Sequence, residues 1–112
     1  MSAALKYNQV ANNTVANQTT ALLRQLVASL QLQRDTSVKK VDRVVELRRA
    51  LEICTVFVES MNDDIAEQER AIYLSIFVGI SSKIVAALRG DPVKFDDAIG
   101  AIKFILESLQ EK

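Results

Sequence analysis

The sequence predicts an all-α fold: an up-down antiparallel four-helix bundle with a loosely attached N-terminal arm. Three observations predict it. Apolar residues recur at a spacing near 3.6 in four separate stretches. Clusters of capping or helix-breaking residues near 34–40, 62–69 and 90–92 divide those stretches. The connections left between them are roughly three to six residues long, the length found between antiparallel neighbours in bundles.

Residues 1 to 16 hold Asn8, Asn12, Asn13 and Thr14, poor helix formers, around Leu5, Tyr7, Val10 and Val15. They are expected to form an arm, distinct from the bundle at 17 to 112, that docks through its few apolar side chains. The first helix, near 17 to 34, carries Leu22, Leu23, Leu26, Val27 and Leu30 on one stripe. In RDTSVKK, residues 34 to 40, Asp35, Thr36 and Ser37 compete with the helical backbone and are expected to cap the second helix. That helix, near 38 to 61, has the stripe Val41, Val44, Leu47, Leu51, Cys54, Val58 and Met61. Asp64, with Glu67 three residues on, has capping-box spacing and opens a third helix near 65 to 89. Gly90 is read as its C′ residue. Asp91 is read as the next N-cap, with Pro92 as the first residue of a fourth helix near 93 to 110. That helix presents Phe95, Ile99, Ile102, Leu106 and Leu109.

The third helix differs from the others. Tyr73, Phe77, Ile80, Ile84 and Leu88 form one stripe, while Leu74, Val78 and Val85 continue around the opposite side. A helix apolar all round is buried on all sides or meets a partner. Its run AIYLSIFVGI, residues 71 to 80, is shorter than the roughly 20 apolar residues of a spanning helix, so no membrane span is expected.

Composition narrows the function classes. Fourteen basic residues balance fourteen acidic ones, so no global field draws the chain to nucleic acid or anionic lipid. At 112 residues, 49% hydrophobic and 25% charged, the chain is one domain. A compact monomer of its 12.4 kDa exposes roughly 6,100 Å². The start MSAALKYNQV lacks the pattern of a signal peptide and Cys54 has no second cysteine to pair with, which makes the cytoplasm the expected address.

With no histidine, no phosphate-binding glycine motif and no cysteine pair, the chain is not expected to be an enzyme or to hold a cofactor or metal. Cys54 lies on an apolar stripe with no imidazole to activate it and reads as a small core residue. The pairs Asp63–Asp64 and Asp96–Asp97 stand at helix starts, where the macrodipole favours negative charge, and read as caps. Residues 34 to 49 gather Arg34, Lys39, Lys40, Arg43, Arg48 and Arg49 against Asp35, Asp42 and Glu46. Without aromatic stacking residues or a recognisable motif, this cluster reads first as a solvated helix face, and nucleic acid is disfavoured as a partner. An RNA-binding or translation-control role through it stays open as an alternative, as does a homo-oligomeric structural bundle.

The order of residues resembles that of the small flagellar protein FlaF and, more distantly, FliS. The resemblance runs through a tyrosine in ALKYNQVANNT, the helix opening TTALLRQLVASLQ, the run ELRRALEICTVFVESM, the run RAIYLSIFVGISSKIVAAL and the closing FDDAIGAIKFILESL. Thr55 and Phe57 fall where FlaF-like sequences have W-T-x-F; Cys54 stands in place of the tryptophan and Ala50 where asparagine is common. The resemblance implies a cytoplasmic chaperone that binds flagellin, assists its type III export and couples flagellin level to assembly. Flagellin's C-terminal helical segment is the implied partner, alongside other flagellar export or regulatory proteins. FliS-type arms can occupy part of the binding surface. Residues 1 to 16 are read as competing with flagellin for it, because a competing arm needs no fixed conformation once flagellin is bound. A direct contribution of the arm to the site is the alternative. The candidate partner-binding residues are then Tyr7, Val10 and Val15 of the arm, Leu22 and Leu26 of the first helix, and Tyr73 and Phe77 of the third.

Overall fold

The computed structural model describes residues 3–60 and 67–110, and their side chains over 18–60 and 67–109. Four helices occupy them: α1 (Ala3–Leu32), α2 (Lys40–Ser60), α3 (Glu67–Leu88) and α4 (Asp96–Gln110), with no strand among the described residues. In packing, α1 lies against α2 and α4, α2 against α3, and α3 touches α4 least; diagonal pairs do not meet. The ion pair between Arg34, just past α1, and Asp96, which opens α4, puts those two helix ends together. With short links at both ends, the helices alternate in direction, and the predicted four-helix bundle is the fold.

The core is built from one face of each helix. Leu23, Leu26, Val27 and Leu30 of α1 meet Leu47, Ala50, Ile53 and Cys54 of α2. Phe77, Ile80 and Ile84 enter from α3, and Ala98, Ile99, Ile102 and Ile105 from α4. The stacked rings of Phe57 and Phe77, centroids 4.9 Å apart, fix α2 on α3. Two residues expected in the core are not there. Val41 is 68% exposed, because six residues before Leu47 lies a third of a helical turn away from it. Leu109, in the last turn of α4, is also exposed, and Ile105 takes the inward place.

Three boundaries differ from expectation. The stretch read as an arm is helical, and α1 begins at Ala3 rather than near residue 17. No glycine or proline occurs before Gly79, and the ordinary residues of this stretch each cost at most about 0.7 kcal/mol against alanine, too little to break a helix once it propagates. Asp35, Thr36 and Ser37 do not cap α2. The Asp35 carboxylate instead accepts the backbone N–H and hydroxyl of Ser37, forming a local turn, and the Lys39 carbonyl accepts the first bonds of α2 from Asp42 and Arg43. Those Ser37 bonds, hydroxyl first, hold the Asp35 carboxyl below its ordinary value.

Gly90 behaves as read. At φ 96° it closes α3 with Asp91 N–H donating to Ala86 O and Gly90 N–H to Ala87 O, the double bond pattern of a Schellman end. Asp91 and Pro92, however, do not start α4. Residues 91 to 95 run irregularly, Val93 and Phe95 turn toward the core, and the Phe95 carbonyl accepts the first bond, from Ile99. Proline disfavours the helical conformation at Asp91, and burying Phe95 rewards the delay. Met61, Asp63 and Asp64 lie outside the described residues, as do the side chains of Tyr7, Val10 and Val15.

Candidate functional site

Where two helices of a bundle carry small residues on facing positions, nothing fills the space between them. This happens along α3 and α4. Ser75 and Gly79 of α3 oppose Ala98 and Ala101 of α4 around an open hollow of about 230 Å³, with Lys83 and Asp97 also lining it. Further along the same seam a second hollow, of about 150 Å³, is walled by Ile72, Tyr73 and Ile76 on one side and Phe104 and Ile105 on the other. Phe104 is 71% exposed, and Ile72 is exposed beside it. Together these form an open apolar seam bordered by scattered charges.

The candidate residues divide on inspection. Tyr73 lines the seam. Leu22 is half-buried against the core at the α1 side. Leu26 and Phe77 are core residues, at 0% and 3% exposure, and present no surface to a partner. A 3.6-residue stripe marks an inward face, so the strongest members of each stripe are the least available ones. Ile72, Ile76, Phe104 and Ile105 are the seam residues that the stripes do not contain. Phe104 carried a signal, as an aromatic two positions from each neighbouring stripe residue, Ile102 and Leu106, in KFILESL.

The basic cluster does not converge. Arg34 pairs with Asp96, and Arg49 Nη1 donates to Glu46 Oε1 at 3.2 Å. Glu46 Oε2 also accepts the buried Ser29 hydroxyl at 2.9 Å, so the cluster contributes to the α1/α2 clasp. Gln33 adds to it, donating to the carbonyls of Ser29 and Arg43. Cys54 is fully buried, and burial pushes its thiol up to about 11 against a smaller opposing pull from the Ser81 hydroxyl. A thiol so placed is not a nucleophile near neutral pH.

Beyond its 71–80 run, α3 as a whole is long and apolar enough to cross a membrane by length and composition. Its mean hydropathy reaches 1.9, and 17% of that window is buried. Phe77, Ile80 and Ile84 pack it into the bundle, while its outer face lacks a cover.

Fold and seam together define an all-α bundle with an apolar surface cleft parallel to its helices. Compared with protein-family models, curated proteins and solved structures, the chain matches none.

Proposed function

We propose that the protein is a flagellin-binding export chaperone and regulator in bacterial flagellum assembly. It holds an amphipathic helical segment of flagellin along the α3/α4 seam, in the cytoplasm, before type III export. The observation that carries this reading is the seam: an apolar cleft between two helices that touch little, with Phe104 and Ile72 standing bare at its edge. A helix laid between two others buries its apolar stripe in such a cleft. A flagellin segment destined for a filament core exposes such a stripe before assembly and self-associates if left bare. The choice of flagellin, and of the cytoplasm, comes from the resemblance to FlaF and FliS.

Titration calorimetry with a C-terminal flagellin peptide tests the reading. Binding in the micromolar range or tighter is expected, and Phe104→Ala should cost about 2 kcal/mol, roughly thirtyfold in Kd, without loss of helicity. Deleting residues 1 to 16 should tighten binding if that segment competes for the seam. Absence of binding by the intact chain would sink the proposal, and unchanged binding by Phe104→Ala would move the site away from the seam.

A further inference from the structure

The α3/α4 seam leaves a second apolar surface unexplained, on the other flank of α3. From Ala71 through Ser82 that helix has no charged residue, and on this flank Val78 and Ser82 face solvent. Between α2 and α3 lies a hollow of about 510 Å³ with Val58, Val78 and Val85 along it. Its Thr55 and Ser81 hydroxyls donate to Leu51 O and Phe77 O of their own helices, at 2.9 and 2.8 Å. Covering this face therefore leaves neither hydroxyl without an acceptor.

We propose that a second copy of this chain covers the α2/α3 face, giving a twofold dimer built on α3. Charge complementarity selects that occupant.

Only Glu59 and Arg89 bring charge to this hollow, with opposite signs, and among the described residues neither makes an ion pair. The Phe57–Phe77 stack sets Glu59 level with the middle of α3, whereas Arg89 follows its last residue. A twofold axis crossing near Ser82 therefore brings each Glu59 to Arg89 of the partner subunit, and lays Val78 and Val85 against small residues of the partner's α3. A twofold interface must be self-complementary, and this face is. An anionic membrane surface would call for an excess of basic residues, which the face lacks.

Sedimentation equilibrium of the full chain tests the proposal, with an expected mass about twice 12.4 kDa at micromolar concentration. Val78→Glu, at a position 51% exposed in the monomer, should keep its circular dichroism and raise the dimer dissociation constant at least about a hundredfold. Glu59→Arg and Arg89→Glu should each weaken association about tenfold, and the double reversal should restore it. Phe104→Glu, on the other seam, should leave the dimer intact. A monomer persisting to millimolar concentration overturns the proposal, as does a double reversal that fails to rescue. Dissociation by Phe104→Glu would assign the contact to the wrong face. Flotation of a monomeric chain with lipid vesicles would give the face to a membrane instead.

Discussion

The α1/α2 contact and the α3/α4 seam use similar apolar residues and reach opposite results. At α1/α2, Leu23, Leu26 and Leu30 are sealed against Leu47, Ala50 and Cys54, and a polar clasp from Arg49 through Glu46 to Ser29 closes the edge. At α3/α4, isoleucines and a phenylalanine stand around two unfilled hollows. What differs is the shape of the opposing residues. Leucines reach across an interhelical gap, whereas Ser75, Gly79, Ala98 and Ala101 offer nothing to fill it. An apolar surface becomes a core only where its partner has matching volume; elsewhere it is left as a cleft.

The largest expected effect sets the two regions directly against each other. Leu30→Ala should destabilise by about 3–5 kcal/mol, whereas Ile105→Ala, beside an existing hollow, should lose only about 1–2 kcal/mol. Urea denaturation measures both, and equal losses would break the comparison.

Next in size is the alkaline limb of stability, which reports how completely α2 closes on α3 at Cys54. Its thiol is raised from an ordinary 9.0 to about 11, so the unfolded chain ionises first. The contribution is therefore fully present below pH 9 and is lost as pH rises toward 11, by at most about 1.4 kcal/mol per pH unit. Denaturation curves of the intact chain and Cys54→Ala, taken from pH 7 to about 10.5, should converge across that limb. A constant gap would mean that the thiol is solvated in the fold.

Ser29→Ala sharpens the clasp side. It removes a buried hydroxyl bonded to a carboxylate and should cost about 1–2 kcal/mol, while the Arg49–Glu46 contact remains. A loss much below that would show that the α1/α2 contact is held by its leucines alone. The smallest effect belongs to the seam: Phe104→Ala should change unfolding free energy by no more than about 0.5 kcal/mol, because its ring has little native contact to lose. A loss of the size found in cores would mean that the cleft is closed in solution.

Periodicity alone located four helices and most of the core, since Leu23, Leu26, Leu30, Phe77, Ile80, Ile84, Phe95, Ile99 and Ile102 are buried where the stripes put them. Gly90 was equally legible, because φ 96° strains any residue with a side chain. Other features depended on contacts distant in sequence. Capping residues at 35–37 and 91–92 state where a helix is able to start. Whether it does depends on what the next side chain gains, and Phe95 gains a place in the core by delaying α4. Spacing puts Ile105, three residues after Ile102, on the inward face and Phe104 off it, and the two are buried and bare accordingly. What the spacing does not display is that no other helix covers Phe104, which depends on small residues in α3 that leave the seam unfilled. Helix content and inward faces are set by interactions within a few residues, which the sequence displays. The open seam arises from volumes brought together by the fold, which only the tertiary structure decides.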